Sequence, residues 1–531
     1  MGPTLAEPRL RAWALGGSRA LYATAAFVAV ALLSCVSPST AGAQALDDRL
    51  VPAGSVRLSA WPTFTAWDER FGPEGGRVPL GRALTTSSAV GLFPGAPALV
   101  DGLRTLSGID DYEPTTGPVE GRISHDVTRI DLGLHVGVTD WWTVGVTVPR
   151  IKNRAAVDMV FLPDTTAGDL GVSPYVTAPT AVEGFLGALE AAAAAAAARA
   201  DGLCGSGDPA CGSAISLAER AATFDAGMAG IYSATPFFPL EGSTIGASLT
   251  QAVQDLDAAL TSAGLAGIGA PLVLAGERPT EADLATLPTR FGALGYTAPL
   301  QTRTDLWSWG DIEVATYARV LDLERGTRSL EVMAGGLVRL GTGSAASADT
   351  PLALGAGDGQ TDIEGRLAAH AAVGSLSLRL GGLYGVQGGR TLVRRVSAPG
   401  TVLAPVGTRV TVDWEPGSYR ALEAEPGVRF APELILSATY RYFGKSADRF
   451  QLVGAEGDTT VQSPLDSSAS RHDVGGSLVY DTVDRSRTGP ARPFRFRVRV
   501  LHAVAGRGTD MPATTRVDLG AELFTSLWGG G

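Results

Sequence analysis

The residues with the clearest capacity for chemistry are charged side chains set at every second position. Arg495, Arg497 and Arg499 alternate with Phe494, Phe496 and Val498, and Asp518 and Glu522 follow on the next such stretch. Alternation with a period of two is that of a β-strand, so the three guanidinium groups stand on one face, about 7 Å apart. They could steer anions along a pore, or pair with carboxylates of neighbouring strands and brace a wall. Pairing is the better reading, because both signs of charge fall on the same parity. Asp131 and His135 also share a face, but residues four apart on a strand lie about 13 Å from each other, too far for an acid–base couple. His370 and Glu364 fare no better. No G-x-S-x-G, phosphate-binding loop, dinucleotide glycine fingerprint or H-E-x-x-H sits in a credible context. Loops 342–360 and 454–467 carry Asp and Gly without the ligand spacing of calcium loops. No enzymatic activity and no cofactor or metal is therefore expected.

The elements that carry these residues are strands. In Thr128–Pro149, Ile130, Leu132, Leu134, Val136 and Val138 alternate with Arg129, Asp131, Gly133, His135 and Gly137. After a turn at Thr139-Asp140 the pattern resumes with Trp142, Val144, Val146 and Val148, as in an antiparallel hairpin. Ser55–Trp67 reads as a first strand. From Gly310 onward the pattern returns, with Glu313, Arg319, Glu331, Arg339, Glu364, Arg366 and Arg379 on the polar parity. About twelve strands result. The short connections, near Thr139, Leu323, Gly374, Pro432 and Arg487, alternate with long ones. Long loops thus gather at one end, and both termini lie at the other.

Between Lys152 and Trp307 the period-2 signal disappears. Helical stretches at Val182–Ala200, Ser216–Ile231, Ile245–Ser262 and Thr280–Leu294 mark an accessory helical insert, and Pro149 reads as the hand-over to it. Cys204 and Cys211 form a closely spaced pair, more consistent with a disulfide than with a zinc site that lacks further ligands. At the start, Arg9, Arg11 and Arg19 precede an apolar run, Ala20–Leu33. Small-x-small sites follow at Ala41-Gly42-Ala43 and Ala43-Gln44-Ala45, the pattern of a cleaved export signal. Leu32-Leu33-Ser34-Cys35 fits a lipoprotein site poorly.

Alternation alone also suits a soluble sandwich. Strands of about 10–14 residues, long for soluble proteins, the export signal and the confinement of charge to one parity favour a bilayer. So do aromatic residues near strand ends on the apolar parity: Trp142, Tyr384, Tyr440, Tyr442, Tyr480, Phe494 and Phe496. The expected fold is all-β: a closed antiparallel transmembrane β-barrel of about 12 strands with a large, mainly helical insert. Residues 1–45 form the signal, and 46–151 the first strands with a long loop. The insert, 152–307, is extracellular or luminal, and 308–531 supply the remaining strands. Arg129, Asp131, His135, Glu313, Arg319, Glu331, Arg339, Glu364, Arg366, Arg379, Arg495, Arg497, Arg499, Asp518 and Glu522 then line the lumen. A net charge of -11 argues against a nucleic-acid partner.

The segment Leu134-His135-Val136-Gly137-Val138-Thr139-Asp140-Trp141-Trp142, with Val146-Thr147-Val148-Pro149, resembles the strand–turn–strand of outer-membrane proteins related to the meta-pathway phenol-degradation family. Gly310-Asp311-Ile312-Glu313, Leu340-Gly341-Thr342-Gly343 and Gly357-Asp358-Gly359-Gln360-Thr361-Asp362-Ile363 are similar in order. The resemblance covers roughly 125–150 and 308–530 and leaves the insert unexplained. It implies a channel or uptake protein of the bacterial outer membrane for small solutes, hydrophobic or aromatic ones among them. Outer-membrane lipid and the outer-membrane assembly machinery, which reads the aromatic-ended last strand Leu523–Trp528, would be its partners. A non-transporting barrel whose insert binds or scaffolds at the surface is the alternative.

Overall fold

The computed structural model describes residues 50–162, 168–396, 402–454, 467–483, 493–508 and 511–526. The expected signal with Cys35, the turn near Arg487, most of loop 454–467 and the Leu527-Trp528 terminus lie outside the described residues. Twelve strands make one closed sheet: β1 Ser55–Trp67, β2 Val119–Thr139, β3 Trp142–Phe161, β4 Glu313–Arg325, β5 Arg328–Arg339 and β6 Asp362–Val373, then β7 Leu376–Gln387, β8 Tyr419–Ala431, β9 Leu434–Lys445, β10 Ala469–Asp481, β11 Phe494–Arg507 and β12 Thr515–Ser526. Each strand pairs antiparallel with its neighbours in the chain. β12 returns to β1 through pairs from Ser55↔Ser526 to Ala66↔Thr515, so the sheet has no free edge.

The alternation decides which face is which. Leu132, Leu134, Ile363, Leu367, Leu422, Leu436 and Leu478 are exposed on the outside, while Asp131, Glu364, Glu423, Arg441 and Arg499 are buried inside. Apolar outside and charged inside inverts a soluble core and suits a lipid surround. At one end the connections are tight. Gly326 and Gly374 take positive φ in two-residue hairpins, the geometry that matches strand twist. The first turn falls at Asp140-Trp141 rather than Thr139-Asp140, because Thr139 still pairs with Trp142. The next falls at Gly326-Thr327 rather than near Leu323, which remains paired with Leu330.

β3 runs on to Phe161, so residues 152–161 are strand, not insert. Pro149 is an interior residue of that strand. Its missing N–H falls between two partners: β4 pairs up to Thr147, and Ser308–Trp309 takes over at Ile151–Arg150. Pro62 likewise sits where the β1–β12 ladder pauses, between the Ala60↔Ala521 and Thr63↔Asp518 pairs.

The helices gather at the long-connection end. Those of ten residues or more are α1 Ala96–Ser107, α2 Pro179–Gly205, α3 Cys211–Ala234, α4 Thr244–Ser262 and α5 Glu281–Arg290, with the single turn Pro174–Thr177 ahead of α2. α1 lies in the first long connection, read from sequence as a Gly/Pro/Ser-rich loop although Leu99, Leu103 and Leu106 recur there at helical spacing. α2 is long and apolar enough to cross a membrane. Its Val182, Phe185, Leu189, Ala192 and Ala196 instead form a buried stripe at helical spacing. One apolar core joins Leu99 and Leu103 of α1, Phe185 of α2, Met228 and Tyr232 of α3 and Leu256 of α4 to Leu352 and Leu403 of two other long connections. Ile123 and Met159, on the inner parity of the upper ends of β2 and β3, belong to the same core, so the domain covers the inner face of those extensions. Cys204 and Cys211 are joined by a disulfide between α2 and α3, with Cα atoms 4.7 Å apart.

Candidate functional site

The strand interior is a double network of ion pairs. In the first, Arg129 of β2 contacts Asp131 (2.7 Å) and Glu313 of β4 (3.1 Å). Arg339 of β5 contacts Glu313 (3.2 Å), Asp362 (2.8 Å) and Glu364 (3.0 Å), and Arg366 contacts Glu364 (3.2 Å). Tyr317 and Tyr419 place their hydroxyls within 3.2 Å of Arg366 and 3.4 Å of Arg339. In the second, Asp518 of β12 accepts from Arg499 (2.8 Å), Arg516 (2.6 Å) and the Thr63 hydroxyl (3.0 Å). Arg499 also reaches Glu423 (3.3 Å), and Arg497 and Ser477 both donate to Glu425. The strands alternate because their apolar parity faces lipid; that same alternation delivers each of these groups inward.

Several pairs cross the bore rather than follow the wall. β8 and β11 are separated by β9 and β10, about 14 Å along the sheet at normal strand spacing. Glu423 and Glu425 nevertheless meet Arg499 and Arg497, so these side chains span the interior as chords. Between the two networks lies a cavity of about 30 Å³, bordered by Trp61, Asp131, Glu313, Leu337, Arg499 and Asp518. β5 and β11 stand on opposite sides of the twelve-strand ring, yet Leu337 and Arg499 border this one space. It is partly open and leaves water-sized room between the two networks. Large side chains lie flat against glycines to fit: a Cβ on Gly520 would come within 2.3 Å of Trp61, on Gly385 within 2.2 Å of Tyr419, and on Gly145 within 2.0 Å of His135.

At the short-turn end the chain entering β1 folds inside the ring. Val51 is fully buried and its N–H donates to the Thr143 hydroxyl (2.9 Å). Ala53 N–H donates to the Asp140 carboxylate (3.1 Å), and Gly54 N–H to the Gly137 carbonyl (3.0 Å). Leu50 packs on Ala315, Tyr317 and Leu337.

Of the residues singled out by sequence, Arg129, Asp131, Glu313, Arg339, Glu364 and Arg366 meet in the first network. Arg379, Arg497, Arg499 and Asp518 meet in the second, with Arg379 3.3 Å from Glu425. Arg495 lies near Glu522 (3.8 Å) and Asp481 (3.9 Å). His135 lies 5% exposed against Gly145 and borders the cavity. Arg319 and Glu331 stand apart near the short turns, half-exposed and 3.8 Å from each other. Sequence reading missed Glu423, Glu425, Arg441 and Arg516 as wall residues, although their alternation with Leu422, Ala424, Tyr440 and Val517 carried the signal. Tyr317 could be read on the polar parity with Glu313 and Arg319, whereas Trp61 and Tyr419 gave no signal, since an inward aromatic reads like an outward one until register is known.

At the long-connection end, Arg395 ties the long connections together. Its guanidinium donates to the carbonyls of Leu294, Gly295 and Ala404, pairs with Asp349 (2.8 Å) and lies 4.0 Å over the Tyr296 ring. Burial pushes the Tyr296 hydroxyl above its ordinary pKa against the pull of that cation. Among the described residues no cluster of three or more His, Cys, Asp or Glu is placed to hold a metal ion.

A closed antiparallel ring with an apolar exterior, a charged interior, tight turns at one end and long connections at the other defines a β-barrel protein of the bacterial outer membrane. No family model matches the chain, and no curated protein matches its sequence. Among solved structures it is similar to an outer-membrane channel from Pseudomonas putida F1, at 9% identity and a TM-score of 0.41, over 91% of this chain and 99% of that one. It is also similar to a Pseudomonas aeruginosa FadL homologue (6% identity, 89% and 90% covered, TM-score 0.23). A third is Pseudomonas aeruginosa OccK2 in complex with glucuronate (9%, 90% and 100%, TM-score 0.22). Superpositions this loose add nothing to what the barrel's own pairing establishes.

Proposed function

We propose that this barrel is a narrow, selective channel for small solutes, held almost shut at mid-height by its own cross-lumen ion pairs. The observation that carries the reading is the water-sized cavity bordered from opposite strands by both signs of charge. The sequence-predicted set from Arg129 to Glu522 is taken as lumen lining. Burying so many charges is costly unless they are paired or meet water. Paired chords that can exchange partners give a polar path that opens without unfolding the wall. Trp61 and Tyr317 add flat aromatic faces beside these charges, which suits small solutes with one planar face and one polar edge. A bore of this charge does not suit a purely apolar cargo.

Conductance in planar bilayers tests this. The intact protein should pass little current, and Arg499→Ala with Glu423→Ala should raise single-channel conductance several-fold. Equal, near-zero conductance in both would remove the channel reading. The size of the external core favours a second reading, in which the barrel anchors a surface binding domain. A variant lacking residues 168–302 discriminates: new current marks the domain as a cover over a pore, whereas a silent barrel favours the anchor.

A further inference from the structure

Just above the lipid-facing belt, the outward parity of β3 changes from apolar to basic. Val144, Val146 and Val148 give way to Arg150, Lys152 and Arg154 at the same period. Counting from Trp142 at the short-turn end, Arg150 is about 27 Å along the strand. At the usual tilt this is about 20 Å across the membrane, close to the roughly 25 Å height of an outer-membrane apolar band. The basic run therefore begins where the outer headgroups begin. The segment beside it, which ends in the short strand Ser308–Trp309, carries Leu306, Trp307 and Trp309. Leu306 is 88% exposed, and Trp309, paired with Arg150, lies beneath its guanidinium at 4.2 Å. Apolar and aromatic anchors next to cations are the composition of a membrane–water boundary. Arg154 contacts Asp126 (3.1 Å), with both side chains about half-exposed; among the described residues no carboxylate pairs with Arg150 or Lys152. Lys152 is one of two lysines in the chain.

We infer that this face, Arg150, Lys152 and Arg154 with Trp307 and Trp309, docks the phosphates of a phosphorylated glycolipid of the outer leaflet. The surface is continuous with the lipid-facing belt below it, and its charge is complementary to headgroup phosphate. Phosphate oxygens would accept from Arg150 and Lys152, while Leu306 and the indoles enter the acyl boundary. The inference rests on the barrel's place in the outer membrane and is independent of whether the bore conducts.

The test uses the full-length protein in detergent micelles, titrated with bisphosphorylated lipid A, with the same lipid dephosphorylated, and with inorganic phosphate, read by tryptophan fluorescence and native mass spectrometry. The intact protein should prefer the bisphosphorylated lipid at least tenfold over the dephosphorylated one. Arg150→Ser, Lys152→Ser and Arg154→Ser combined should erase that preference, roughly a tenfold to hundredfold loss at the usual contribution per surface cation. Lys152→Gln alone should lose a few-fold. Heat-modifiable migration reports that each variant remains folded. An intact protein that binds both lipids equally overturns the inference whatever the variants do. So does a folded triple variant with undiminished preference, or displacement of the lipid by equimolar inorganic phosphate.

Discussion

A single buried arginine shows what holds the lumen wall. Arg499 is about 1% exposed and serves Asp518 on the adjacent β12 and Glu423 on β8, three strands away. Arg499→Ala leaves Glu423 buried without its near partner, while Asp518 keeps Arg516 and the Thr63 hydroxyl; breaking such a buried pair costs up to about 3–5 kcal/mol. Urea unfolding followed by the gel shift should show this as an early transition. Adding Glu423→Ala should recover part of the loss, because that stranded charge goes with its partner, whereas Asp518 is kept to pair with Arg516. The glycines beneath the rings make a second case. Gly385→Ala puts a methyl group 2.2 Å from the Tyr419 ring. It should dislodge that ring from Arg339, to be seen as a changed tyrosine fluorescence together with lower stability. At this scale the sequence was half legible. The parity of Arg129, Glu364 or Arg497 was readable because every apolar neighbour pointed the other way. That Arg497 would reach Glu425 rather than a residue on the next strand was not, since a chord across a ring depends on strand number, tilt and register together.

At the scale of elements, strands and helices were written differently. Strict alternation marked β5 to β12 to within about three residues, because one face meets lipid along its length and tolerates little else; it stopped well short of the far ends of β2, β3 and β4. The signal failed where that constraint stops. Above the bilayer, residues 152–161 of β3 turn a charged face outward and an apolar one toward the helices, so its pattern no longer reads as a lipid-facing strand. α1 was missed for a different reason: its Leu99, Leu103 and Leu106 stand at helical spacing, but the Gly- and Pro-rich chain around them reads as a loop, and packing of Leu99 and Leu103 against α3 and α4 holds the helix. The Cys204–Cys211 disulfide closes a short loop between α2 and α3. The chain-entropy account gives a link of that length about 2–3 kcal/mol. Cys204→Ser with Cys211→Ser should lower the melting temperature of the helical domain while the barrel's gel shift stays unchanged. Arg395→Ala should act on the same domain by freeing three connections at once, measured as faster proteolysis within 340–360 and 388–418.

For the whole molecule, barrel and outer domain form two cores with opposite rules, one charged within an apolar wall and one apolar within a polar surface. They meet at the upper ends of β2 and β3, where Ile123 and Met159 already obey the second rule. Removal of the helical domain should therefore expose an apolar patch on those extensions and lower solubility, while twelve strands still close; binding of a hydrophobic dye to the truncated protein measures this. The ring itself is shut by one seam, in which Thr63 and Asp518 meet across 455 residues of chain. Every other strand pair joins neighbours in sequence, so the seam has by far the largest loop to close and is the natural last step of folding. Leu50–Ala53 hang from the seam strand and lie inside the finished ring. They must be tucked in while that door is still ajar, so the order of closure, and not affinity alone, decides whether the inner end of the bore is corked.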